Sequence, residues 1–247
     1  MTADEGVQFQ ARAQDGACIR VIVRGEAPTS LSPFLPQRGL VETGIDGHVE
    51  PETTLDVELA SEIGQAYLES SLGLFAASHL QGEVAIHAAL IRAGSQVLLL
   101  PAPSLSGKTS MCVAARRAGH EVLGDEYVLV DPQSGLLRTW PRAMRIRDGR
   151  SSRREDIDIE LGTVQPTLVA ALTYDEQSDA QTDQPLTVRV LTPGELAVEL
   201  LSNTLCAQYR PEDSLAAVMA IARQTPGVMG TRAEAVPALR ALLDLEL

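Results

Sequence analysis

VLLLPAPSLSGKTS, residues 97–110, decides the reading of the fold. Val97 to Leu100 is a continuous apolar run, as in a strand buried on both faces. Thr109 to Ala118 reads as one helix, stopped by Gly119. Between them lies APSLSGKT (102–109), which fits the pattern A/G-x-x-x-x-G-K-S/T in the strand–loop–helix setting that a phosphate-binding loop needs. Lys108 is the sole lysine of the chain; the other basic side chains, the four histidines apart, are arginines. A compact ammonium suits the β/γ-phosphates of a nucleotide, and the larger planar guanidinium is no equivalent there. Gly107 lets the backbone approach, and N–H groups of the loop and helix start receive phosphate oxygens. The expected binding residues are Ser104, Ser106, Gly107, Lys108, Thr109 and Ser110, with the Thr109 hydroxyl on Mg²⁺.

Such a loop needs acids nearby. Asp125-Glu126 follows Gly124 between two short apolar pieces, and adjacent residues on a strand point to opposite faces. His87 sits alone in VAIHAAL; by itself, a lone histidine on an apolar strand reads as a core residue.

Outward from this centre, ACIRVIVRG (17–25) reads as a strand, and 26–52, rich in Pro and Gly, as short extended pieces at best. Leu55, Leu59, Ile63, Ala66, Tyr67 and Leu74 fall at helical spacing, with Thr54 as cap and Gly64 and Gly73 as breaks. EVAIHAALIRAG (83–94), EVLGDEYVLVD (121–131, two pieces around Gly124), LLRTW, VQPTLVAALTYD and PLTVRVLTP supply further strands. DEQSDAQTDQ (175–184) reads as a solvated loop. Helices are expected from Pro193, over Glu212 to Gln224, and over Arg232 to Leu245.

At 247 residues and 45% hydrophobic content the chain has material for one sizeable core, or at most two small domains. Its net charge of −13 opposes nucleic-acid binding, although arginines cluster between Arg138 and Arg154. No apolar run is long enough to span a bilayer, and the acidic, polar start MTADEGVQFQ does not read as a secretory signal, which points to the cytoplasm. Cys18, Cys112 and Cys206 lie far apart with no C-x-x-C pair, so they read as small buried apolar side chains.

IHAALIRAG, VLLLPAPSLSGKTS and ARRAGHEVLGDEYVLV together resemble the catalytic core of HPr kinase/phosphorylase and its small kinase relatives, some of which phosphorylate a serine on a ribosomally made peptide such as a lasso peptide. The strong resemblance covers about residues 84 to 147, and PRAMRIRDG (141–149) is similar to the segment after the acid pair. It implies an α/β fold with a P-loop kinase core of the HPr kinase/phosphoenolpyruvate carboxykinase type, a mixed sheet with flanking helices. With no linker long enough to split it, the chain is expected to form one domain over 1–247, with a strand and helix part at 1–82, a nucleotide-binding core at 83–150, and strands and helices at 151–247. ATP and Mg²⁺ are the implied cofactors. Asp125 matches the acid that takes the proton from a serine hydroxyl, Glu126 the acid serving the metal, and His87 the histidine near the catalytic acid; His120 is taken as structural. Arg142 or Arg145 is placed to meet γ-phosphate charge or an acidic peptide. Leu105 stands where the family has glycine, and the acid pair is Asp-Glu rather than Asp-Asp. The C-terminal signature of the bifunctional enzymes is not found, so HPr as substrate and the phosphorylase activity are not implied.

The expected function is thus a serine kinase acting on a peptide or small protein, without nucleic acid or membrane, with homo-oligomerisation left open. The alternatives are a kinase of a small hydroxylated metabolite and a non-catalytic nucleotide-binding accessory module.

Overall fold

In the computed structural model, residues 6–45, 49–148, 151–160, 162–175 and 184–246 are described. Most of the loop expected over 175–184 lies outside them. The chain divides into two compact units, Met1–Gln81 and Gly82–Leu247.

In the first unit, strands β1 (Val7–Ala13), β2 (Cys18–Arg24), β3 (Leu40–Thr43) and β4 (Thr53–Glu58) form a sheet in the order β3-β1-β2-β4, with only β2 and β4 parallel. Helix α1 is Glu62–Ser78. Two expectations fail here. The segment at Leu55 is a strand, with Leu55 and Val57 buried by simple alternation, and the helix cap is Ser61, whose hydroxyl accepts from the Gly64 amide. The buried stripe of α1 is Leu68, Leu72, Phe75 and Ala76, whereas Ile63 is 82% exposed and Tyr67 54%. The spacing that joins Leu55 to Leu74 runs across a strand and a turn into the wrong face of the helix. Gly64 does not break the helix: a Cβ there would lie 1.9 Å from the Glu58 carbonyl oxygen, so glycine allows the close approach of α1 to β4. Strand β1 was not among the expected strands, although Val7, Phe9, Ala11 and Ala13 alternate with Gln8, Gln10 and Arg12; Gln10 is buried all the same.

The second unit is mixed α/β. Strands β5 (Val84–Ala93), β6 (Gln96–Pro101), β7 (Glu121–Gly124), β8 (Tyr127–Val130), β9 (Leu137–Thr139), β12 (Leu168–Tyr174), β13 (Leu186–Leu191) and β14 (Gly227–Arg232) make one sheet. Its order is β13-β14-β12-β6-β5-β8-β9, with β7 also on β5. β6, β12 and β14 are parallel, and the other pairings are antiparallel. β10 (Met144–Asp148) and β11 (Ser151–Glu155) form a separate hairpin.

Helices cover both faces, because the central strands are apolar on both. Ile86, Ala88, Leu90, Val97, Leu99 and Val169 pack with α3 (Pro193–Ser202) and α4 (Pro211–Gln224). Ala89, Ile91, Leu98, Leu100 and Ala170 pack with α2 (Lys108–Arg117) and α5 (Ala235–Leu243). α3 starts at Pro193 as expected, and Thr192 and Glu195 on either side of it close a capping box. The expected helix over Arg232 to Leu245 is only α5; Arg232 ends β14, a strand whose two glycines hide its pattern. All three cysteines are free and buried. Among the described residues no helix is long and apolar enough to cross a membrane.

Candidate functional site

β5 organises the site. Its first half, Val84 to His87, pairs with β8, and Leu90 to Arg92 pair with β7 along the same edge. Between β7 and β8 the chain bends, and Asp125 and Glu126 occupy that bend rather than a continuous strand. The Ala88 amide donates to the Glu126 carbonyl there. On the other edge β6 leaves β5 at Pro101, where the Ala102 amide donates to the His87 carbonyl. His87, the loop start and the acid pair therefore lie at one level of the sheet. Alternation along β5 puts His87 on the face covered by α2, opposite to Ile86 and Ala88.

The loop carries two left-handed residues, Gly107 at φ 88° and Leu105 at φ 66°. No hydrogen bond inside the protein engages the main-chain N–H groups from Ser104 to Ser110 among the described residues. The Lys108 side chain folds back across the loop and donates to the Ala102 and Pro103 carbonyls at 2.8 Å each. It is only 8% exposed, and burial lowers its pKa while Asp125 and Glu126 act in the opposite sense. Thr109, on the first turn of α2, donates its hydroxyl to Asp125 Oδ2 at 3.0 Å. Asp125 Oδ1 is buried and accepts no hydrogen bond among the described residues. Burial raises the Asp125 pKa, offset in part by hydrogen bonding to Thr109 and Cys112 and by the Lys108 and Arg142 charges.

Glu126 sits elsewhere: its carboxylate pairs with Arg142, whose guanidinium lies 6.0 Å from the Tyr127 ring centre. The structure thus joins Thr109 to Asp125 and Glu126 to Arg142. Ser104 and Ser110 are exposed on the loop and the helix start, and Ser106 Oγ is shielded without a partner. The sequence did not single out Arg232, which reaches the loop from β14 and donates to the Ser106 and Gly107 carbonyls at 3.4 and 3.3 Å. A Cβ on Gly107 would lie 2.1 Å from its Nη2, a second reason for glycine at that position.

Leu105 gives a test of the loop. A left-handed conformation costs a non-glycine residue about 1–2 kcal/mol, and glycine costs about 0.5–1 kcal/mol in chain entropy. Leu105 is 86% exposed and has little packing to lose. Leu105→Gly is expected to leave stability unchanged or raise it by up to about 1 kcal/mol, and the β-branched Leu105→Val to lower it. Denaturant titration decides; a Gly variant clearly less stable than wild type would contradict the left-handed turn.

His87 is neutral at pH 7, because burial first, and the Lys108 charge second, lower its pKa from 6.5 to about 4. The unfolded chain binds this proton more readily than the native one. Its contribution to stability is therefore complete above pH 6.5 and is lost as pH falls toward 4. The wild-type minus His87→Gln difference in unfolding free energy should shrink across that window, by up to about 3 kcal/mol. A pH-independent difference would mean that the imidazole is not desolvated.

The fold and the loop define a mixed α/β protein whose central strand opens into a Gly-Lys-Thr turn at a helix start. No family model matches this chain, and no curated protein matches it.

Proposed function

We propose that the chain is an ATP-dependent kinase that transfers a phosphoryl group to a serine hydroxyl of a peptide or small protein, on a P-loop core of the HPr kinase/phosphoenolpyruvate carboxykinase type. The observation that carries this reading is the Thr109–Asp125 hydrogen bond beside Lys108, with Asp125 Oδ1 left without a partner. A hydroxyl that donates to a carboxylate keeps a lone pair for a hard cation, so Thr109 fits Mg²⁺, which takes few protein oxygens and keeps waters and phosphates as its other ligands. Mg²⁺ supplies charge at the phosphates.

The chain's own groups then have separate tasks. The loop N–H groups and Lys108 bind the phosphates of ATP, the lysine exchanging its two carbonyl partners for phosphate oxygens. Asp125 Oδ1 accepts the serine proton as the serine oxygen bonds to the γ-phosphorus and the bond to the ADP oxygen breaks. Neutral His87 lies on the same sheet face and helps to orient the acid. Arg142, paired with Glu126, brings positive charge toward an acidic peptide or the transferred group.

Two observations favour a second reading, a nucleotide-binding module without catalysis: Leu105 occupies a left-handed position usual for glycine, and Glu126 is held by Arg142 rather than beside Thr109. Incubation with ATP·Mg²⁺ and serine-containing peptides separates the readings. A phosphate mass increment located on serine, with matching ADP, supports the kinase. Phosphorylation of a free metabolite alone rejects the peptide acceptor. Tight ATP binding with no transfer to any acceptor supports the module.

A further inference from the structure

The carboxyl ends of the parallel strands β6, β12 and β14 are the part of an α/β sheet where ligands bind. They end at Pro101, Tyr174 and Arg232, so Arg232 emerges beside the loop. It is 4% exposed. Its guanidinium bonds to the carbonyls of Ser106, Gly107 and Ala233, and lies 5.1 Å from the centre of the Tyr174 ring. Among the described residues no carboxylate forms an ion pair with it; Glu234 acts on it only through space.

A buried cation bonded only to neutral carbonyls is expensive, and proteins retain one where its charge has a use. The surroundings indicate the use. Lys108 and Arg232 are the two cations lining a small hollow whose other walls include Leu100, Met111, Ala170 and Leu172. Ser106, next to the Arg232 contact, has a shielded hydroxyl without a partner. Two cations, an idle hydroxyl and unengaged loop amides make a site for a multiply charged anion, not for a neutral or cationic ligand.

We infer that Arg232 is the second phosphate-binding cation of this site: it braces the Ser106–Gly107 end of the loop and supplies charge to a polyphosphate held there. This rests on the reading of the loop as a phosphate site and adds a residue from the opposite end of the sequence to it. Arginine rather than lysine fits, because the planar group stacks on Tyr174 while donating in several directions.

The test uses the full chain and four probes in calorimetry: ATP·Mg²⁺, ADP·Mg²⁺, AMP and inorganic tripolyphosphate. Arg232→Gln should weaken tripolyphosphate and ATP at least tenfold, ADP less and AMP least, and should flatten the salt dependence of affinity. Arg232→Lys, which keeps the charge but not the planar fork, should recover part of the loss. A purely bracing role predicts equal losses for every probe and for both variants, together with a lower melting temperature. That outcome, or unchanged binding in Arg232→Gln, overturns the inference. Wild type binding tripolyphosphate but not ATP would sink the nucleotide reading and leave the role of Arg232 standing, whereas no binding of any probe would sink both. Should Arg232→Gln not fold, the guanidinium NMR signal of Arg232, assigned by its loss in Arg232→Lys, decides the question in wild type. It shifts on addition of tripolyphosphate if the group meets the anion and stays in place if it does not.

Discussion

Lys108→Met is expected to weaken ATP·Mg²⁺ binding about a hundredfold and to abolish detectable phosphoryl transfer, with the fold preserved. Lys108 is the single ammonium side chain of the protein, and it is held over the loop by two main-chain carbonyls. Those bonds keep it ready but do not neutralise it. Asp125 and Glu126 act on it through space, and burial works against its charge. Phosphate oxygens are the better partners, since hydrogen bonds between charged groups contribute about 1.5–3 kcal/mol each. Losing about 3 kcal/mol corresponds to roughly a hundredfold in affinity. Methionine fills the volume of the stem, so the two carbonyls lose a donor without a cavity opening beneath them. Lys108→Arg should recover little, because the fork is too large for the space the ammonium occupies between Ala102 and Pro103. Calorimetry of the three proteins decides; nucleotide affinity equal to wild type in the Met variant would remove Lys108 from the site.

The loop was legible because local chemistry dictates it. A buried strand, a Gly-Lys-Thr turn and a helix follow one another directly along the chain, and each signal is local. The same holds for α3, whose cap and Pro193 are adjacent in sequence. The first unit was harder to read because its signals compete. Leu55 and Val57 fit a strand and also, with Leu59 and Ile63, a helix; the sheet chose the strand by pairing β4 with β2. The face of α1 was then set by what it packs on, which spacing alone cannot reveal. Arg232 was beyond sequence reasoning for a related reason. It lies 124 positions after Lys108, and β14 reaches the loop only because β12 is inserted between β6 and β14. The partner of Thr109 lay between these extremes: the acid pair was visible, but the bend that sends Asp125 to Thr109 and Glu126 to Arg142 is a property of two strands sharing one edge of β5.

That bend fixes the expected behaviour of Asp125→Asn, which should lower turnover about 10²–10⁴-fold, leave nucleotide affinity within about threefold, and raise the melting temperature at pH 7. The first effect follows from the loss of a base at Oδ1. The second follows because Asn still offers Thr109 an acceptor, and the loop cradle is untouched. The third follows from linkage. Burial lifts the Asp125 pKa above its ordinary value, so the native state holds this proton more firmly than the unfolded chain. The stability that the protonated form contributes is therefore lost as pH rises through the raised pKa. Asn cannot ionise and avoids that loss. Turnover in wild type should follow the opposite course, falling as pH drops through the same pKa, since only the carboxylate accepts the serine proton. An acid that merely braced the bend would behave differently on all counts, with a lower melting temperature in the Asn variant and transfer lost only in proportion to folded protein. Melting curves and single-turnover rates measured together across pH distinguish the two. An Asn variant that is less stable yet turns over at the wild-type rate would assign the proton transfer to another group, and Glu126, released from Arg142, would be the next to test.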